Sequence, residues 1–191
     1  DGTISVNIPA TQEYSASSFG KGAAVLYGYA ETDDVPVTLH NLCAAVKVTL
    51  TKSETRISKA RIISNSKSSP IAGTFTINPR TGEYNATSGL SVISLDITEV
   101  SLQNDGGQSF YFTVPFGTYT EGFTVKFYDA ENYPMECVWH PVNGVVSAGK
   151  LYEFKPVDFV RGTREILTGE DWKYIVEQIN GSKNDWKAAY L

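Results

Sequence analysis

Apolar and polar residues alternate with a period of two through most of this chain, most clearly over residues 108–141. Phe110, Phe112 and Val114 alternate there with Tyr111 and Thr113. Phe123, Val125 and Phe127 alternate with Thr124, Lys126 and Tyr128, and Met135, Cys137 and Trp139 with Glu136, Val138 and His140. Successive side chains of a strand point to opposite faces, so each run predicts a strand with one buried face. The aromatic and β-branched residues suit a pleated, half-buried surface. Pro115-Phe116-Gly117 separates the first two strands, and Asp129-Ala130-Glu131-Asn132 turns the second into the third.

The pattern continues on both sides. Ile4, Val6 and Ile8 are in phase over residues 3–8, which Pro9 stops. A polar stretch, 11–18, is expected to be loop. A strand is expected over 23–30, where Val25, Tyr27 and Tyr29 alternate, and 32–36 is a turn. The longest predicted strand is 39–51, with Leu42, Ala44, Val46, Val48 and Leu50 on one face. Further strands are expected over 57–64, 71–77, 93–97 with its extension to Leu102, and 151–155. Asn78-Pro79-Arg80-Thr81-Gly82 is a tight hairpin turn, in which Pro presets φ and Gly accepts a positive φ. Asn104-Asp105-Gly106-Gly107 and Asn143-Gly144 are further turn signals. Turns recur about every 8–12 residues, the spacing of an all-β sandwich or barrel. We therefore expect an antiparallel β-sandwich.

The pattern changes after residue 162. Thr168-Gly169-Glu170-Asp171 reads as a helix start, with acidic residues in the first turn. Trp172, Ile175, Val176 and Ile179 fall on one helical face, and Asn180-Gly181 ends it. One such helix cannot bury its stripe alone. Residues 1–158 are thus expected to form the sandwich, with 1–35 as its N-terminal strands and linker. Residues 159–191 are expected to be a linker and short helix that open a second module, the competing reading being a C-terminal helix docked on the sandwich.

Composition narrows the function classes. The 191 residues suffice for one good core. Eleven Tyr and nine Phe against one Met, with 19% charged residues, suit an exported all-β protein. A net charge of −5 argues against a nucleic-acid partner, which needs a basic face. No apolar run reaches the roughly 18 residues of a membrane helix. The sequence opens on Asp1 with no leader in view, so either a leader is removed or the sequence starts downstream of one. Cys43 shares a strand face with Lys47 and Thr49, whereas Cys137 shares one with Met135 and Trp139, which argues against a bond between them.

Candidate chemistry is sparse. His40 and His140 have no third ligand at metal spacing, and Cys43 with a histidine lacks an orienting partner. Gly20-Lys21-Gly22-Ala23 lacks phosphate-loop spacing and leads into a strand, not a helix. Asp33-Asp34 and Asn104-Asp105 lack the regular acidic spacing of a calcium loop, and turn chemistry explains them. No cofactor, metal site or catalytic cluster is expected. Tyr111, Tyr119, Tyr128 and Tyr133 are the candidate ligand-contact aromatics, because exposed Tyr rings give large contact area at little entropy cost. Cross-strand aromatic pairing, which stabilises sheets, is the competing reading for these rings and for Tyr27, Tyr29 and Trp139.

The order of segments resembles the fimbrillin-like family of Bacteroidetes surface proteins. The resemblance is carried by LHNLCAAVKVTL at 39–50, the strand 57–63, IAGTF at 71–75, FYFTVP at 110–115, GFTV at 122–125 and AGKLY at 148–152. It spans residues 1–158. It implies a transthyretin-like sandwich of Greek-key type, exported to the cell surface and outer membrane, commonly as a lipoprotein. It also implies a non-enzymatic role in adhesion or at a pilus (fimbrial) tip, with other pilus subunits and host protein or glycan as partners. Assembly in the family resembles donor-strand exchange, which relies on backbone hydrogen bonds and side-chain pockets. The tail 165–191 resembles the opening of repeat modules in large surface adhesins, which favours a tip or adhesin over a stalk. No Arg precedes Arg56, so the processing site of some members has no counterpart here, and neither does the lipobox cysteine. The alternative function is a carbohydrate-binding sandwich of a surface glycan-utilisation system.

Overall fold

The computed structural model describes residues 2–32, 34–52, 55–66, 68–102 and 106–163, together with Gly169, Trp172, Lys173 and Val176. Strands form where the alternation runs. In chain order they are β1 (Ile4–Ile8), β2 (Thr11–Glu13), β3 (Leu26–Tyr29), β4 (Thr38–Asn41), β5 (Cys43–Thr51), β6 (Arg56–Ser64), β7 (Ala72–Ile77), β8 (Tyr84–Leu90) and β9 (Val92–Asp96). They continue with β10 (Val100–Ser101), β11 (Gln108–Pro115), β12 (Gly117–Thr118), β13 (Phe123–Asp129), β14 (Pro134–Trp139), β15 (Val145–Val146), β16 (Leu151–Glu153) and β17 (Val157–Asp158). The fold is all-β.

Two sheets make the core. One runs β14-β13-β6-β9-β2, with β10 also on β6; the other runs β11-β5-β16, with β17 also on β5. Ala60, Ile62, Ile93, Leu95, Phe123, Val125 and Phe127 come from the first sheet. Val46, Val48, Leu50, Phe110, Phe112 and Val114 come from the second, and all are buried in one cluster. The Phe110 and Phe127 rings meet edge to face across the layers, with centroids 5.0 Å apart. Burying each of these side chains other than Ala60 contributes about 1.5–3 kcal/mol. A third sheet, β1-β7-β8, adds Ile8, Ala72, Phe75 and Ile77 to the same cluster, and two ribbons, β3-β4 and β12-β15, lie beside it.

Three expectations need correction. The sandwich is not wholly antiparallel: β16 and β17 run parallel to β5, and β2 parallel to β9. The chain reaches β5 at its N-terminal end, where Gly149 N–H donates to Cys43 O at 2.9 Å, and then runs alongside in the same direction. The expected strand 39–51 is two strands. Its pairing switches at Leu42, whose N–H donates to Val25 O at 2.9 Å and whose carbonyl accepts from Phe116 N at 3.0 Å. β4 pairs with β3, and β5 with β11.

The polar stretch 11–18 also holds a strand, β2, and it performs a structural task. Gln12 is only 2% exposed. Its Nε2 donates to Thr113 O at 2.9 Å and to Thr113 Oγ1 at 3.0 Å, and its Oε1 accepts from Thr113 N at 2.9 Å. One side-chain amide thereby occupies the free edge of β11 as a strand backbone would, satisfying two buried main-chain groups. Next to it, Gln108 Nε2 donates to the Tyr14 hydroxyl at 2.7 Å, and the Tyr14 ring packs on Phe110.

Past β17 the chain crosses back to the first sheet. Phe159 is buried in the core, and Gly162 N–H donates to Pro134 O at 2.6 Å. Arg161 Nε donates to Asp129 Oδ2 at 2.5 Å, and its guanidinium lies 4.7 Å from the Tyr133 ring centre. The buried Asp129 also accepts from the N–H groups of Glu131 and Tyr133 through Oδ1, each at 2.9 Å. It therefore fixes the β13–β14 turn and the departing segment around Arg161 together. Of the expected C-terminal helix only Gly169, Trp172, Lys173 and Val176 are described, and the rest of its stripe lies outside the described residues. Asp33, Asn104 and Asp105 do too. Among the described residues no helix is long and apolar enough to cross a membrane.

Candidate functional site

The strand with the longest run of exposed residues is β8. Its position follows from the turn before it. Asn78 Oδ1 accepts from the N–H groups of Arg80 and Thr81 at 3.0 and 3.3 Å, and Gly82 closes the turn at φ +76° with its N–H on Asn78 O. The returning strand pairs with β7 from Tyr84 to Leu90 and, among the described residues, has no strand on its other side. Tyr84 is half-buried and the six residues after it are exposed. The sequence YNATSGL contains no charge and no proline, the usual devices that blunt an edge. A register shift between Thr74 and Phe75 is the one irregularity in this pairing.

Beside β8 lies a cleft of about 380 Å³ lined by Tyr84, Asn85, Ser68, Ser69, Thr118 and Tyr119, among others. Its described lining carries no charged side chain. Tyr84 forms one wall: its ring packs edge to face on Phe75 and Phe116 at 5.7 and 4.8 Å, and its hydroxyl donates to Phe116 O. Tyr119 forms the floor and donates to Pro115 O at 3.1 Å. Burial raises the ionisation of both phenols above the ordinary tyrosine value, so both remain neutral donors.

The four expected ligand-contact tyrosines do not converge. Tyr119 and Tyr128 are 3% and 2% exposed, so neither presents an open ring face on the surface. Packing takes them: Tyr119 sits against Phe123 at 4.6 Å, and the Lys59 ammonium lies 5.2 Å from the Tyr128 ring centre. Tyr111 and Tyr133 are half-buried and lie beside Lys47 and Arg161 respectively. Trp139 stacks on Phe123 at 5.0 Å and touches Tyr152 and Phe154, a cross-strand cluster of the sheet-stabilising kind.

The remaining chemistry is structural. Cys43 and Cys137 are free thiols. Burial pushes the Cys43 thiol up to about 11, the opposite of what an activated nucleophile needs. His40 packs on the Tyr27 ring at 5.5 Å. Among the described residues no three His, Cys, Asp or Glu side chains gather as a metal site. The cleft beside β8 escaped sequence reading because Ser69, Asn85 and Thr118 come from three separate segments and share no spacing.

No family model and no curated protein matches the chain. Among solved structures, it is similar to a “putative cell adhesion protein” from Bacteroides ovatus ATCC 8483, at 14% identity and a TM-score of 0.43. That match covers 65% of this chain and 42% of that one. A second, of the same description and from Bacteroides uniformis ATCC 8492, has 18% identity and a TM-score of 0.37, covering 62% of this chain and 47% of that one. The chain therefore spans less than half the length of either structure.

Proposed function

We propose that this chain is a non-enzymatic module of a bacterial cell-surface adhesin, which binds its partner through the β8 edge and the loops beside it. The observation that carries this reading is β8 itself: an uncharged edge strand with six exposed residues in succession. Such an edge presents unpaired backbone donors and acceptors, and an extended segment of a partner can add to it as a further strand. The fimbrillin-like order of segments in the sequence supports the same reading, including the transthyretin-like topology, outer-membrane display and a place at a pilus tip. On this reading, beads coated with the chain are expected to adhere to host cells or matrix. Ser88→Lys, which puts a charge on the exposed edge at little cost in stability, abolishes that adhesion. Equal adhesion by wild type and Ser88→Lys would sink the reading.

A second reading rests on the cleft beside β8. Hydroxyl and amide groups with an aromatic wall and no charge suit a neutral glycan. Glycan-array binding that disappears in Asn85→Ala but survives in Ser88→Lys would select this alternative.

A further inference from the structure

The β3–β4 ribbon has two unlike faces. Its register pairs Leu26 with Asn41, Tyr27 with His40, Gly28 with Leu39 and Tyr29 with Thr38. Tyr27, Tyr29 and His40 share one face, which is anchored on the β7–β8 turn. There the Arg80 guanidinium lies 4.5 Å from the Tyr29 ring centre, and the Tyr27 hydroxyl lies over Gly82. The other face holds Leu26, Val37 and Leu39, which are 51%, 54% and 62% exposed, and Val35 at the tip is 48% exposed. Val37 and Leu39 close over Gly28, where an added Cβ would lie 2.5 Å from Val37 Cγ1. Three large aliphatic side chains on one exposed ribbon face are not what a solvated surface needs.

The strip continues. Asn41 belongs to this face and lies against Gly149, at the mouth of a trough of about 310 Å³ on the outer side of β5. Cys43 and Ala45, both small, form the floor of the trough, and Phe19, Tyr111 and the exposed Leu151 form its walls. The whole strip from the ribbon tip to Asn41 runs about 20 Å, at roughly 3.3 Å per residue. Its ends carry opposite charge. Asp34 stands at the tip and Lys150 lines the trough; both are exposed, and neither forms an ion pair among the described residues.

We propose that this strip is the interface through which two copies of the chain associate about a two-fold axis. A two-fold axis lays the strip against itself head to tail, apolar on apolar. That arrangement sets Asp34 of each copy against Lys150 of the other, so an acidic end meets a basic end twice. A strip that was apolar with like charges at both ends would not be self-complementary; this one is. The interface is separate from the β8 edge, so it stands whether or not the adhesion reading does.

Sedimentation of the 191-residue chain across a concentration series tests it. The wild type forms a dimer whose dissociation constant lies below about 1 mM, the weak limit of a specific contact. Leu39→Glu, or Val37→Asp should the first fail to fold, raises that constant on the order of tenfold or more, with the far-ultraviolet spectrum unchanged. Asp34→Lys and Lys150→Glu each weaken the homodimer. Mixed together they form a heterodimer, because each copy then meets its complement at both ends, and Asp34→Lys/Lys150→Glu in one chain restores the homodimer. A wild type that stays monomeric throughout overturns the proposal. So does a dimer indifferent to Leu39→Glu and Val37→Asp, or a mixture of the two charge variants that fails to associate.

Discussion

Replacing Gln12 by Ala tests whether a side chain stands in for a strand. In the folded chain Gln12 satisfies the buried N–H and C=O of Thr113 and touches its hydroxyl, which in turn donates to Ala23 O at 2.7 Å. Thr113 is itself buried, so water cannot replace the lost partner without opening the segment. Each orphaned main-chain group costs about 1–3 kcal/mol, so the expected loss for the two is about 2–6 kcal/mol. That is a large share of the 5–15 kcal/mol typical of a whole domain. With a urea dependence of about 2 kcal/mol/M, a loss of 3 kcal/mol moves the unfolding midpoint down by about 1.5 M. Gln12→Glu does no better: a carboxylate still accepts from Thr113 N–H, but it has no donor for Thr113 O and brings a buried charge. The assay is urea unfolding followed by tryptophan fluorescence, with hydrogen exchange at the Thr113 amide as the local probe. Glu13→Ala, at an exposed neighbour, serves as control and shifts stability by about 0.5 kcal/mol or less. A Gln12→Ala protein within about 0.5 kcal/mol of wild type, with the Thr113 amide as slow to exchange as before, would refute the argument.

Other substitutions probe the core, the exit and the thiols. Phe127→Ala removes a fully buried ring at the contact between the two sheets and costs about 3–5 kcal/mol by thermal or chemical unfolding. Asp129→Ala leaves the N–H groups of Glu131 and Tyr133 without their acceptor and costs about 2–4 kcal/mol, whereas Arg161→Ala, at a half-exposed partner, costs about 1 kcal/mol or less. Similar losses for both would show that the ion pair, not the turn, carries the effect. Native Cys43 reacts with iodoacetamide at pH 8 far more slowly than an unfolded cysteine, because the buried group remains a thiol. Its folded ionisation lies above the unfolded value, so its contribution is complete below about pH 9 and is lost as pH rises through about 11. Cys43→Ala should flatten that alkaline decline in unfolding free energy, and an unchanged slope would contradict the assignment.

The strands of the core were legible because their side chains obey one simple period. The buried faces of β5, β6, β11 and β13 are the residues that alternation picks out, from Val46 and Ile62 to Phe112 and Val125. Pairing partners were not legible. Leu42 stays in phase with Ala44, so the exchange of β3 for β11 beside that strand leaves no mark on the pattern. Strand direction is equally silent, since side chains alternate in the same way in parallel and antiparallel ladders. β2 has no apolar residue in Thr11-Gln12-Glu13; a buried amide holds it to β11, and polar sequence reads as loop. Tyr128 looked available because it opposes Phe127 in phase, yet it is as buried as the core residues. The cleft beside β8 depends on three separate segments meeting in space, which no periodicity encodes.

The most direct test of the adhesion reading is hydrogen exchange of the chain, free and bound to the cells or matrix it adheres to. The account predicts that those amides of residues 84–90 that point away from β7 exchange fast in the free chain and become protected on binding, as a partner strand pairs with β8. Bound protein in which residues 84–90 exchange as fast as before, with protection appearing elsewhere or nowhere, would contradict it.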